Sequence, residues 1–348
     1  MNFDLLENIT QIPAAPGHEK EITRFLKDHF EKKNISSEID RMGNLTVTLG
    51  KGDPVVMSAA HVDEISLIST HVDKDGFVRF STLGGFDPRT LYTQRVKLHT
   101  SEGPIPGIIG GMPAHILTEE EKAKAPKVEN LYIDCGLPAE EVQKLVPNGT
   151  LITQDRPFQK IGNNISSKAL DNRVSVYMLT EVVDRLAKAT NLPCTFHAVF
   201  SVQEEVGIRG ARVAAQRLQP DIGIALDITL AADMPGVEEG RKVTSLGQGT
   251  AIKIMDKSVI ATDSLVTFME SIASEHDISY QREVLTAGGT DTSGMQYLAG
   301  LGSHVTCIST PTRYVHSSVE MCNVEDLKQG ISLLEHTITG IDRYSMDG

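Results

Sequence analysis

The stretch CTFHAVFSVQEEVGIRGARVAAQRLQPDIGIALDI, residues 194–228, reads as strand, turn, helix and strand in succession. "CTFHAVFSVQ" is apolar and rich in β-formers, a helix begins near Arg209, and "IGIALDI" (222–228) is a short unbroken apolar run. Strands that are apolar on both faces and alternate with helices belong to a sheet covered on both sides. Upstream, Ile22, Phe25, Leu26 and Phe30 recur at helical spacing in "GHEKEITRFLKDHFEKK", and strand-like "NLTVTLG" (44–50) and "PVVMSAAHVDE" (54–64) follow. "NRVSVYMLTEVVDRLAKA" (172–189) predicts another helix. The expected fold class is α/β, a mixed sheet sandwiched by helices.

Between 66 and 162 the character changes to short β-like pieces broken by glycine and proline, as in "GFVRFSTLGGFDP" and "QRVKLHTSEGPIPGIIGGMP", with one charged stretch near 118–127. This predicts an inserted small β-rich domain at 66–162, with 1–65 and 163–348 forming the domain it interrupts.

The formal charge is −13, with lysine and arginine scattered, so nucleic acid is not an expected partner. No apolar run reaches about 18 residues, so no membrane span is expected. The opening MNFDLLENITQIP is acidic where a signal peptide needs a basic stretch, which predicts a cytoplasmic protein. Cys135, Cys194, Cys307 and Cys322 lack CxxC spacing and read as free thiols of a reducing compartment.

Glu204 and Glu205 stand side by side at the end of an apolar strand. Adjacent carboxylates there repel one another unless a cation sits beside them. A plainer reading pairs one with Arg209 or Arg212 and leaves the other solvated. The other strand ends favour the cation. "VVMSAAHVDE" ends in His61, Asp63 and Glu64, "IGIALDI" carries Asp227, "SSKALDNR" presents Asp171 at a helix start, and "TPTRYVHSS" adds His316. In an open α/β sheet the carboxyl ends of the strands converge on one crevice. Imidazoles with carboxylates suit zinc, cobalt or manganese and are too poor in sulfur for a structural zinc site. Asp63, two residues after His61, is placed to hold that imidazole in one tautomer. His18, His71, His99, His115, His197, His276 and His304 lack such an acidic neighbourhood and read as core or surface residues.

Together these motifs resemble the dinuclear metallo-aminopeptidases that include glutamyl aminopeptidase and the tetrahedral and deblocking aminopeptidases, some of whose members have been labelled endoglucanases. The resemblance runs through "AAPGHEKEI", "AHVDEI" (60–65), "SKALDNR" (167–173), "QEEVGIRGA" (203–211), "ALDI" (225–228), "GGTDTSG" (288–294) and "RYVHSS" (313–318). It implies two divalent metal ions per subunit, zinc or cobalt, with manganese a further option. His61 and Asp227 would complete one site, Glu205 and His316 the other, and Asp171 would bridge them. It implies a metal-bridging water with Glu204 as general base and a strained or cis peptide bond after Asp171, and Asp63, placed beside His61, joins Glu204 in the expected catalytic set. It also implies peptide substrates with a free N-terminus, and a β-barrel-like lid domain through which dimers build a dodecamer.

The resemblance does not fix the preferred first residue. Lys253 in "GTAIKIMD" is placed either to pair with an acidic side chain or to lie exposed on a strand, and together with closeness to the glutamyl branch it inclines the expectation to glutamyl or aspartyl substrates. In "GGTDTSG", Thr290 and Asp291 read equally as a helix cap or as substrate contacts, and Thr292 replaces the alanine of many relatives. A glycosidase needs two carboxyl groups about 5 to 9.5 Å apart across its bond, and adjacent glutamates with two histidines do not match that. A related dimetal carboxypeptidase or deacylase is the serious alternative to the aminopeptidase. A metal-binding scaffold would have no use for Glu204.

Overall fold

The strands that the apolar runs predict lie next to one another in the computed structural model, which describes residues 1–189 and 191–346. Thr195–Ser201, Val55–His61, Ile222–Leu230 and His304–Arg313 are neighbours in that order and all parallel. They form the middle of an 11-stranded mixed sheet whose outer pairs along the main strand order are antiparallel, while Thr250–Met255 branches from His304–Arg313 and pairs in parallel with Tyr280–Val284. Buried parallel strands are apolar on both faces, and these four are buried along most of their length.

Two layers of helix account for that burial. On one face pack Phe3–Gln11, Lys20–Glu31, Leu170–Leu186 and Val324–Thr339, sharing a core with Val56, Phe196, Phe200 and Ile224. Ile22, Leu26 and Phe30 are its predicted helical stripe and are fully buried, which stabilises that helix by roughly 1.5–3 kcal/mol per side chain. Leu170–Leu186 is buried almost all round, as a helix trapped between a sheet and other helices must be. The opposite face is covered by Arg209–Leu218 and Asp291–Leu298 through Ala214, Ala215 and Met295.

Six strands between Ser66 and Gln154 close a separate barrel: Ser66–Val72, Val78–Leu83, Tyr132–Asp134, Gly103–Gly110, Arg95–Thr100 and Leu151–Gln154, in barrel order. Leu67, Phe80, Val96, Leu98, Ile133 and Ile152 fill its interior. Closure removes the open edges that so many short strands would otherwise expose. The chain rejoins the main sheet through Gln159–Ile161, slightly before the expected position 163, because that strand pairs with Asn164–Ser167 and so with the sheet edge.

Candidate active site

The parallel register sets the site. His61, the last residue of its strand, lies opposite Ser201, and beyond Ser201 the chain turns through Glu204 and Glu205 before Arg209–Leu218 begins. Asp227 stands near the end of the neighbouring strand, and Asp171 opens the helix Leu170–Leu186, where the Asp171–Asn172 peptide is cis. His316 follows the strand His304–Arg313 in a left-handed conformation, φ +57°.

These six side chains face one cleft of about 470 Å³. Asp171 is at its centre. Its Oδ1 lies 3.3 Å from His61 Nε2 and its Oδ2 lies 3.2 Å from His316 Nε2. Asp227 Oδ1 is 3.9 Å from His61 Nε2, and Glu205 Oε2 is 3.6 Å from His316 Nε2. Potential ligand atoms of His61, Asp171 and Asp227 gather within 4.8 Å of one another, and so do those of Asp171, Glu205 and His316. Two three-residue groups therefore share one carboxylate. Glu204 Oε2, 3.9 Å from His61 Nε2, makes a third grouping with His61 and Glu205.

Four carboxylates and two imidazoles crowd this cleft; His61, Asp171 and Asp227 are buried, Glu204 and Glu205 are half-buried, and the His316 side chain stays 36% exposed. Burial, followed by the neighbouring Asp171, pushes Glu205 up to about 8. Burial also raises Glu204 and Asp227 well above the ordinary carboxylate range against the pull of His61, and their acidic neighbours add to the rise. His316 would be lowered by burial, but its hydrogen bond to Asp171 and the nearby Glu205 bring it to about 10. The donor set is short of positive charge, and two divalent cations at the two groups would supply it. The N/O donors fit such ions.

Asp63 carries out more than the sequence suggests. His61 Nδ1 lies 3.2 Å from the Asp63 backbone carbonyl oxygen and 3.5 Å from its Oδ1, and the two carboxylate oxygens accept the backbone N–H groups of Glu204 (3.0 Å) and Glu205 (3.1 Å). The strand ends at His61, so Asp63 reaches the imidazole from the following loop and not from the same strand face. Glu320, which sequence reasoning missed, does the same for the other half. It accepts the N–H of Asp171 at 2.9 Å and of His316 at 2.9 Å while itself buried. Its only signal is a position four residues after His316. Glu64 turns away from the cleft and binds Lys168 Nζ at 2.9 and 2.8 Å.

Arg209 bonds Gln203 Oε1, not a glutamate, so the plain ion-pair reading of Glu204 and Glu205 loses that partner. Thr290 caps the helix Asp291–Leu298 through the N–H of Thr292 and also lines the cleft, while Asp291 lies behind it and accepts from Ser201 Oγ. The four cysteines are free. Among the described residues, none of the seven histidines set aside above joins a ligand group, and no helix is long and apolar enough to cross a membrane.

Lys253 corrects an expectation. It lines the cleft but is neither exposed nor available, because its ammonium lies 2.6 Å from Glu283 Oε1 and 3.3 Å from Asp256 Oδ2 in a buried cluster. The basis it offered for an acidic substrate is therefore removed.

The barrel also reaches the site. Gly84 and Gly85, just past the barrel strand Val78–Leu83, press on the ligands. A Cβ on Gly84 (φ +91°) would fall 2.7 Å from Ile65 Cγ2 and 3.3 Å from Glu205 Oε2, and one on Gly85 would fall 3.3 Å from His316 Nδ1. Gly84→Ala is expected to cost about 1–3 kcal/mol of stability through backbone strain and to displace Glu205. A lowered thermal transition and a reduced metal content would register the two effects.

Comparison with known proteins identifies the family. The sequence model of the family described as M42 glutamyl aminopeptidase matches residues 43–333. The chain is 32% identical to the glutamyl aminopeptidase of Lactococcus lactis subsp. cremoris, over 98% of this chain and 96% of that one. It is 30% identical to the lysyl aminopeptidase of Pyrococcus furiosus, over 96% of this chain and 95% of that one. The TET1 peptidase of Pyrococcus horikoshii, which can assemble into a tetrahedron or a large octahedral shell, has the same fold with a TM-score of 0.87 and 32% identity, covering 97% of this chain and 98% of that one.

Proposed function

The chain belongs to the M42 glutamyl aminopeptidase family, and from that premise we propose that it is a dinuclear metallo-aminopeptidase that removes the first residue of peptides with a free N-terminus. The observation that carries the reading is the central carboxylate with an imidazole on each oxygen, His61 on one and His316 on the other. His61, Asp171 and Asp227 would hold one divalent ion, and Asp171, Glu205 and His316 the other. Zinc or cobalt suits this set best, with manganese also compatible. When bound, a pair of such ions polarises the scissile carbonyl and lowers the pKa of the attacking water towards about 7.

The protein's own contribution is proton handling and rigidity. Glu204 takes the proton from the attacking water and delivers it to the nitrogen of the departing peptide. Its carboxylate lines the same cleft as the candidate ligands, with Oε2 3.9 Å from His61 Nε2, and a base placed there is within reach of the attacking water. Asp63 keeps Glu204 and Glu205 aimed differently by gripping both of their backbone N–H groups, so that one faces the proton and the other the cation. Asp63 also orients the His61 ring through Nδ1.

For assembly, the likeness to a TET peptidase that can assemble into a tetrahedron or an octahedral shell supports a homo-oligomer, and the family resemblance extends this to a dimer-based dodecamer with the barrel as the associating and lid domain. The free cysteines support a cytoplasmic setting.

The decisive assay uses the purified protein, metal-stripped and reloaded with Co²⁺ or Zn²⁺, on free-amine aminoacyl anilides and their N-acetyl forms. Metal-dependent cleavage confined to the free amines is the expected result. Cleavage of the acetylated forms, or of C-terminal residues only, would move the assignment to a deacylase or carboxypeptidase.

A further inference from the structure

Besides the candidate ligands, the cleft is lined by Ile208, Ile228, Leu230, Leu285 and Val315, which give it an apolar wall where a substrate side chain would rest. Lys253 is the one lysine or arginine lining the cleft among the described residues. Its neighbours are set by the sheet. Thr250–Met255 runs parallel to Tyr280–Val284 with Lys253 opposite Glu283, and Asp256 follows immediately at the turn. Lys253 is 1% exposed and Glu283 0%, and Nζ lies within 3.3 Å of both carboxylates. Glu283 Oε2 has no hydrogen-bond partner. Asp256 is fixed by its turn, where Oδ1 accepts from Ser258 and Val259 N–H. Two carboxylates from behind the cleft face one ammonium, so the single basic group that lines the wall is already neutralised from the protein side.

We propose that the Lys253–Glu283 pair is the specificity determinant of this site, closing the cleft to acidic first residues and leaving uncharged aliphatic side chains as the preferred substrates. The inference rests on the aminopeptidase reading and adds the substrate class. A glutamyl side chain entering this wall would meet Ile228, Leu230 and Leu285, which offer it no hydrogen bond, and a lysine whose charge is already taken. Its own charge would then be desolvated with no free lysine or arginine on the wall to meet it, and an unpaired charge of that kind is how a site rejects a near-isosteric competitor. A leucyl side chain gains from the same apolar wall and pays no such penalty.

The test is a ranking of kcat/KM for Leu, Ala, Lys, Glu and Asp anilides on the metal-loaded enzyme, repeated with Glu283→Gln and with the double variant Glu283→Gln, Lys253→Met. For the native enzyme the leucyl substrate is expected to lead the glutamyl one by at least about tenfold. In Glu283→Gln, which keeps the side-chain shape and frees part of the ammonium, the Glu:Leu ratio should rise by about tenfold. The added Lys253→Met should abolish that rise. A native enzyme that cleaves the glutamyl or lysyl substrate faster than the leucyl one overturns the proposal. So does an unchanged Glu:Leu ratio in a folded Glu283→Gln protein. Should that variant not fold, the native ranking still decides. Should no anilide be cleaved, the aminopeptidase reading fails separately, and calorimetry of free leucine against free glutamate on the metal-loaded protein reports on the wall alone. Tighter leucine supports the proposal and tighter glutamate refutes it.

Discussion

Glu204→Gln is expected to keep both metal ions and the native thermal transition while kcat falls by about 10²- to 10⁴-fold, the contribution of a positioned general base. Glutamine has the same shape and can still accept a hydrogen bond, but it cannot take a proton and pass it on. The neighbouring substitution Glu205→Gln should behave differently, because Glu205 lies against His316 and Asp171 in a ligand group. There the metal content itself should fall. Elemental analysis of both variants beside their kinetics separates the two roles. The geometry also contains the competing arrangement, in which Glu204 joins His61 and Glu205 around a cation. A Glu204→Gln protein with one ion missing would favour that arrangement and would remove Glu204 from the base position.

Much of this site could be read before the structure because its residues come from strand ends. In a parallel sheet, apolar runs that finish on His61, Asp227 and the turn after Ser201 must finish on the same edge, and one crevice follows from topology alone. The same logic fails for side chains whose function is to hold backbone. Glu320 meets the N–H of Asp171 from 149 residues away, and no periodicity records such a contact. Lys253 was visible as a strand residue, but its neutralisation depends on the parallel register that sets it opposite Glu283. Register in turn depends on which helices and loops join the strands, and the sequence pattern does not contain it. The residue pattern of the inserted domain read only as β-rich and the barrel came from the family resemblance, since closure is a pairing between Ser66–Val72 and Leu151–Gln154, two strands separated by the whole domain.

A pattern links the two halves of the site. Each pair of candidate ligand-bearing segments is tied together by one buried carboxylate that spends its oxygens on backbone N–H groups: Asp63 for residues 204 and 205, Glu320 for residues 171 and 316. Carboxylates bonded in this way are strong acceptors and cost less to bury. They fix the backbone and leave the ligand side chains free to face the cleft. The site can therefore hold repelling carboxylates close together before any cation arrives, which is what preorganisation requires.

Removal of metal is the second large effect. Chelation should abolish turnover, Co²⁺ or Zn²⁺ should restore it, and the thermal transition should fall well below that of the loaded protein. An ion present at about 1,000 times its dissociation constant stabilises the native state by about 4 kcal/mol per site. Unfolding entropies of about 2.1 cal/mol/K per residue give about 0.7 kcal/mol/K for 348 residues, so each site is worth roughly 5–6 °C in Tm. The stripped protein should also be sensitive to pH in a direction that the loaded protein is not. Glu205 titrates near 4.5 when unfolded and about 8 when folded, and His316 near 6.5 and about 10. Both are raised on folding, so each binds its proton more tightly in the native state and stabilises it fully only below the unfolded value. That contribution is lost as pH rises, with both groups losing it together between 6.5 and 8. Differential scanning of the chelated protein should therefore show Tm falling across this window, while the loaded protein, whose ligands are held deprotonated by the ions, stays level or gains. A chelated protein with the same Tm as the loaded one, and the same pH profile, would mean that these carboxylates and imidazoles do not hold metal.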